Sequence, residues 1–334
     1  MRSDPTVRIR IQEQSQVGEG WRAAQDRARA LGLDDAACGR CAIAASELGS
    51  NLVKHAGGGD LFIGSFSDAD GAGLELLAVD RGRGMLNVER CLQDGYSTAG
   101  TVGNGLGAVV RNADVFDIHS QQGKGTVVLA RVRHEPTVAE RRGVILGSLL
   151  IPYPGETACG DNWGYAGEAG DTLFVVDGLG HGREAEKAAH LAVHSFLNNA
   201  GRSCVEIMQR VHAALAPTRG AAAALARIDH RRQAVDFVGI GNISGSVVTI
   251  NGVRKMVSHN GTAGHLAPRI AVFSYPYDPG SLLIMHSDGV SARWDAGAYP
   301  GLITRHPAVV AGVLCRDHAR GRDDMCMAAL RVVR

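Results

Sequence analysis

The stretch DTLFVVDGLGHG, residues 171–182, decides how this chain is read. Thr172 to Val176 form an apolar run of strand length that closes on a carboxylate, Asp177, and passes at once into Gly178, Gly180 and Gly182. A strand ending this way brings a carboxylate and an unencumbered backbone carbonyl to one sheet edge. SLLIMHSDGV, residues 281–290, repeats the arrangement, with Asp288 and Gly289 at the end of an apolar strand. A lone Asp-Gly reads first as a turn. Here two of them close apolar strands and are accompanied by GDNWG, with Asp161, and RDDM, with Asp323 and Asp324. Such an all-oxygen set suits hard cations, magnesium or manganese. Two ions about 4 Å apart can lower the pKa of a bridging water and clamp a phosphoryl group for in-line attack. His181 and His286 lie beside these motifs, but imidazole suits softer metals, so both are read as structural or supporting residues.

Composition frames this reading. With 334 residues the chain is long enough for two domains, each with its own core. A net charge of +1, with 21% charged residues, supplies no field that would draw nucleic acid or an anionic membrane. No stretch approaches the ~20 apolar residues of a membrane span, and MRSDPTVRIR at residues 1–10 lacks the apolar core of a signal peptide. A cytoplasmic location is the expectation. Seven scattered cysteines do not form a disulfide framework, and Cys38 and Cys41 read as ordinary buried thiols in an apolar helical run. The polar, proline-containing HEPTVAERRG at 134–143 marks a break, so residues 1–134 and 143–334 are expected as domains with 135–142 as linker.

In the first half, Asp34 or Asp35 caps a helix that runs through AACGRCAIAASELGSNLVKHA and stops at Gly57 to Gly59. Ala44, Leu48 and Leu52 form its apolar stripe, while Glu47, Asn51 and His55, four residues apart, share another face. That face is either a ligand-contacting row or a solvated one. The next two segments favour the ligand. LELLAVD delivers Asp80 at a strand end, and Gly82 and Gly84 allow close backbone approach. YSTAGTVGNGLGAVVRNA is then a glycine-rich loop entering a helix, whose N-terminal amides suit phosphate oxygens.

ASELGSNLVKHAGGG, LQDGYSTAG and FDIHSQQGKGT together resemble the GHKL ATPase family, more narrowly its RsbW- and RsbT-type anti-sigma and switch-protein kinases, over roughly residues 36–130. The resemblance implies that Glu47 polarises the nucleophile or a water and that Asn51 ligates magnesium through its amide oxygen. It further implies that Asp80 accepts from the adenine amino group of ATP, that Gly103, Gly105 and Gly107 wrap the phosphates, and that Thr126 hydrogen-bonds near the adenine. Thr101, Val102 and Asn104 depart from the RsbT-like loop, which bears on phosphate affinity more than on fold. VVDGLGHG, FVGIGNISG, SDGVSARWD and HPAVVAGVLCRDHARGRDDM resemble the metal-dependent serine/threonine phosphatases of the SpoIIE and RsbX branch, over roughly residues 143–334. That likeness implies that Asp177 bridges two metals, that Gly178 offers its carbonyl, and that Asp161, Asp288 and either Asp323 or Asp324 complete the set.

The expected fold class is α+β: an N-terminal sandwich of a mixed sheet with helices on one face, and a C-terminal αββα sandwich of two antiparallel sheets. The strands clustered from Gly220 to Ile250 support the second part. The two resemblances together imply a bifunctional switch enzyme of a partner-switching pathway, using ATP to phosphorylate a serine or threonine of a STAS-domain antagonist or scaffold and removing phosphate with its second half. A sigma factor and a second copy of the chain are further candidate partners. The alternative keeps the first half as a nucleotide-dependent binding or sequestering module, or as a sensor, with only the phosphatase catalytic.

Overall fold

The computed structural model describes residues 6–68, 70–92, 105–134, 143–167, 170–267 and 269–333. They form two compact units, one built from 6–134 with 304–317, the other from 143–303 with 318–333.

The first unit contains β1 (Val7–Ile11), α1 (Gln14–Ala30), α2 (Asp35–Ala56), β2 (Gly59–Asp68), β3 (Gly71–Val79), α3 (Val88–Cys91), α4 (Gly105–Asn112), β4 (Val115–Gln121) and β5 (Gly125–Arg133). The Asp34 side chain accepts from the Ala37 amide at 2.7 Å to start α2. Gly57 ends it with a φ of 71°, a left-handed conformation that disfavours side chains. Cys38, Cys41, Ala45, Leu48 and Leu52 recur at helical spacing and pack with Leu61, Leu76 and Ala130. Both cysteines are free and buried. The sheet order is β1-β2-β3-β5-β4. Every pairing in it is antiparallel, which corrects the expectation of a mixed sheet. Tight connections between β2 and β3 and between β4 and β5 explain the difference, because parallel neighbours need a long crossover.

Strand alternation gives this sheet two kinds of face. Val128, Ala130 and Val132 join the core with α1 and α2, so Val127, Leu129 and Arg131 point the other way. Arg131, only 1% exposed, donates from Nε to Glu75 Oε2 at 2.8 Å and lies over the Phe66 ring at 4.5 Å. Arg133 pairs with Asp68 at 2.6 Å in the same cluster.

The second unit contains β6 (Gly143–Ile151), β7 (Asp161–Ala166), β8 (Thr172–Gly178), α5 (Arg183–Asn198), α6 (Cys204–Leu215), β9 (Ala221–Asp229), β10 (Ala234–Ile240), β11 (Ser244–Thr249), β12 (Gly252–Met256), β13 (Phe273–Pro276), β14 (Leu282–His286) and β15 (Met325–Val333). Two antiparallel sheets, ordered β13-β10-β9-β8-β7 and β12-β11-β14-β15-β6, face each other. Trp163, Val175 and Phe237 from one meet Leu283, Met285 and Leu330 from the other. The opposite face of the first sheet, with Phe174, Val176 and Leu225, is covered by Phe196 of α5 and Met208 of α6.

The last helix, α7 (Pro307–His318), departs from the expected division. By sequence it falls in the second half, yet 304–317 belong to the first compact unit. A Cβ on Gly312 would lie 2.9 Å from both Leu77 and Val127, so the α7 backbone sits directly on the outer face of the first sheet. That sheet is thus covered on both faces rather than one. The reason is apolar area: Leu77, Val127 and Leu129 are buried, and α7 is buried along nearly all its length. No helix among the described residues is long and apolar enough to cross a membrane.

The buried ion cluster carries a stability prediction. Glu75→Ala leaves the Arg131 guanidinium buried without its strongest partner and is expected to cost about 3–5 kcal/mol. Denaturant unfolding checks this, and a change under about 1 kcal/mol would mean that Asp68 alone compensates Arg131.

Candidate functional site

In the first unit, Glu47, Asn51 and His55 line a cleft of about 750 Å³ together with Asp80 and Thr126. The face marked out by their spacing is therefore a cleft wall. Asp80 Oδ1 accepts from the amides of Gly82 at 2.7 Å and Thr126 at 3.1 Å. Its backbone is tied across the sheet, Asp80 N donating to Thr126 O at 2.9 Å. Burial raises the Asp80 pKa, and the two amides oppose that rise. Gly82 sits against Ala56, and Gly84 against the Gln121 carbonyl. Thr126 Oγ1 pairs with Ser120 Oγ at 2.8 Å, and Ser120 Oγ accepts from the Met85 amide at 2.8 Å. Burial, then the charge of Arg83, lowers the His55 pKa, so the ring stays neutral.

Gly105 opens α4 directly over the row on α2. A Cβ there would stand 3.1 Å from Asn51 Oδ1 and 3.3 Å from Glu47 Oε2. Asn51 Nδ2 is buried without a partner. A carboxylate and an amide facing a helix N-terminus fit a magnesium–phosphate group. Gly107 lies on α4 and is buried, whereas Gly103 and the loop residues Thr101, Val102 and Asn104 lie outside the described residues.

In the second unit, register places the acidic residues. Asp161 of β7 pairs with Asp177 of β8, while Asp288 follows β14 and Asp323 and Asp324 precede β15 of the facing sheet. Asp161 is buried, and burial followed by the Asp177 charge holds its pKa well above the ordinary carboxylate range, against a hydrogen bond from Ser287 Oγ. Burial, then Asp288, Asp323 and Asp324, pushes Asp177 up to about 7. Asp288, raised by burial and Asp323, accepts from Asn242 Nδ2 at 2.7 Å. Asp324 Oδ1 accepts from the Tyr153 amide at 2.7 Å, and Oδ2 is buried without a hydrogen-bond partner. Asp323 is exposed and acts on both Asp177 and Asp288. Gly178 packs so closely that a Cβ would meet the Ala185 carbonyl at 2.4 Å.

Among the described residues, no group of three or more His, Cys, Asp or Glu side chains is drawn close enough to hold an ion as it stands. The carboxylates are neighbours by charge, with Asp161 and Asp324 buried and Asp323 exposed. The raised pKa values of Asp161 and Asp177 nevertheless fit hard divalent cations. His181 and His286 lie outside this set. The His181 ring hydrogen-bonds Glu156 and stacks on Tyr153 with centroids 4.5 Å apart. His286 is buried, bonded to Ser287 O at 2.8 Å, and kept neutral by burial.

Sequence reasoning missed several supporting groups: Ser120 and Arg316 at the first site, Ser287 and Asn242 at the second. Ser287 and Asn242 sit in quoted motifs and could have been found there, whereas nothing near Arg316 points to a site 236 residues away.

Comparison with known proteins agrees with this geometry. Residues 12–132 match the histidine kinase-like ATPase domain, and residues 169–333 match Stage II sporulation protein E (SpoIIE). The serine/threonine-protein kinase RsbT of Bacillus subtilis (strain 168) is 32% identical over 122 residues, 36% of this chain and 92% of RsbT. A solved structure from the bacterial stressosome is 28% identical, covers 56% of this chain and 99% of its own, and superposes with a TM-score of 0.52. A crystal structure of RsbX with magnesium covers 58% of this chain and 98% of its own at 19% identity and a TM-score of 0.49. The chain belongs to the RsbT-type histidine kinase-like ATPases through its first part, which is fused to a SpoIIE-type second part.

Asp80 provides a test of the first site. Asp80→Asn is expected to weaken ATP binding roughly tenfold or more, since one carboxylate hydrogen bond to a ligand is lost. In the native chain the raised pKa means that affinity falls, as pH is lowered, at a higher pH than for an ordinary aspartate. Calorimetric titration checks both, and unaltered binding by Asp80→Asn would remove Asp80 from the adenine site.

Proposed function

We propose that this chain is a bifunctional regulator of a bacterial partner-switching pathway. Its first unit phosphorylates a serine or threonine of a STAS-domain antagonist or scaffold, and its second part hydrolyses phosphoserine or phosphothreonine on that protein or a related one. The observation that carries the reading is the presence, on one chain, of a nucleotide-sized cleft walled by Glu47, Asn51 and Asp80 and a rim of strand-end carboxylates with Asp177 raised to about 7. The kinship with RsbT and the stressosome neighbour support a switch protein as substrate.

In the kinase reaction, Asp80 orients the adenine through its free Oδ2, and Asn51 with ATP would hold magnesium. Glu47 takes the hydroxyl proton as the substrate oxygen bonds to the γ-phosphorus and the bond to the ADP oxygen breaks. Gly105 and Gly107, in the first turn of α4, supply amides and space for the phosphates. In the hydrolase, Asp161, Asp177, the Gly178 carbonyl, Asp288 and Asp323 would hold two magnesium or manganese ions. Asp324, turned toward the Tyr153 amide, orients the loop that carries Asp323. When bound, the ions neutralise phosphate charge and lower the pKa of the attacking water. Asn242 and Ser287 hold Asp288 and Asp161 in place from outside.

With ATP, magnesium, manganese and a STAS-domain protein, phosphate is expected to appear on the partner and then be released. Asn51→Ala should abolish transfer, and Asp177→Asn or chelation of metal should cut hydrolysis roughly a hundredfold or more. Transfer that survives Asn51→Ala sinks the kinase role, stoichiometric partner binding without transfer leaves the first unit a sequestering module, and hydrolysis that survives Asp177→Asn sinks the metal site.

A further inference from the structure

The carbonyl of Asp80 is held from behind by a residue that lies far along the chain. Arg316, on the last turn of α7, donates from Nη1 to Asp80 O at 3.4 Å. Its side chain is 2% exposed, and its remaining donors are fixed by Asp317, Nε to Oδ1 at 2.8 Å and Nη2 to Oδ2 at 2.9 Å. Asp317 also reaches the neighbour of Asp80, with Arg81 Nη1 3.4 Å from its Oδ1. Arg316 and Asp317 therefore grip the Asp80–Arg81 turn from its far side. The other end of α7 is anchored independently: Asp117 of β4 accepts from the His306 amide and from Arg305 Nη1 at 3.3 Å. Gly312 between them rests on Leu77 and Val127.

We propose that Arg316 is a positioning residue for the nucleotide site, fixing the adenine-reading Asp80 in place from the second half of the sequence. The inference rests on the proposed ATP-binding function of the first unit. Asp80 ends β3 and enters a glycine-containing turn, so its placement depends on what the carbonyl and side chain bond to. Thr126 and Gly82 hold the carboxylate, Thr126 holds the amide, and Arg316 holds the carbonyl. The guanidinium also opposes the burial that raises the Asp80 pKa. The titratable and charged groups that bear on Asp80 are Arg316 from α7 and the imidazole of His55 from α2, with Arg83 acting on His55 from the intervening loop. Of these, Arg316 is the buried one whose charge is permanent.

The test is calorimetric titration of ATP into the full chain across a range of pH. Arg316→Met keeps an apolar stem but removes the charge and the donor. It is expected to weaken ATP binding about tenfold, as for a lost hydrogen bond involving a charged group, and to move the pH of half-maximal affinity upward. Arg316→Lys retains the charge and should keep that midpoint near the native one while still losing affinity. Arg305→Gln loosens the far end of α7 and should leave both within about twofold, because surface ion pairs contribute little. A merely structural role would make Arg305→Gln behave like Arg316→Met, and that result overturns the proposal. Native midpoint and affinity in Arg316→Met overturn it as well. Should Arg316→Met not fold, a native affinity in Arg316→Lys, which cannot reproduce the guanidinium geometry, does the same. Failure of the native chain to bind ATP overturns the nucleotide reading itself, and this inference with it.

Discussion

Crowded like charge is the constraint on which the second unit depends. Asp161 and Asp177 are placed side by side by the register of β7 and β8, and Asp288, Asp323 and Asp324 arrive from the facing sheet. Left alone, such charges repel and favour protonation, which is the state toward which Asp161 and Asp177 are pushed. The sandwich holds them together because its core, with Trp163, Val175, Leu283 and Met285, fixes the two sheets face to face. Ser287 stitches the sheets at the site, donating to Asp161 on one and accepting from the Cys326 amide on the other. Repulsion of this kind is relieved by protonation or by divalent metal, so an arrangement that costs stability also favours a cation.

The first unit solves a different problem. Its cleft holds a carboxylate, Asp80, whose ionised form burial disfavours. Two amides on Asp80 Oδ1, from Gly82 and Thr126, oppose the burial penalty. The row on α2 faces the start of α4, where Gly105 places no side chain against Asn51 and Glu47. In both units, a strand closes on an aspartate with a glycine close behind it, Asp80 before Gly82 and Asp177 before Gly178.

Those strand-end aspartates are readable because an apolar run that stops at a carboxylate leaves a local signature. Asp80, Asp177 and Asp288 each carry it, and the spacing of Glu47, Asn51 and His55 marks one cleft wall. The caps of α2 are equally local. Pairing direction in the first sheet is not, since β3 and β5 are adjacent in space but separated by helices in sequence. Asp323 and Asp324, adjacent in sequence, differ in burial: Asp324 is buried and accepts from the Tyr153 amide, Asp323 is exposed, and both act on Asp161 and Asp177. The docking of α7 leaves no trace, because an apolar helix carries no record of which sheet it covers.

That helix makes the first unit discontinuous along the chain, and the consequence is genetic as much as physical. A gene cut at the polar break near residue 135 would deliver the ATPase without the strip that seals its outer sheet face, leaving Leu77, Val127 and Leu129 bare, and would deliver the other half with an apolar strip released. The two activities are therefore not interchangeable cassettes. α7 also runs, through only a few residues, into the loop of Asp323, so one helix of the first unit is the covalent lead into the last strand of the second.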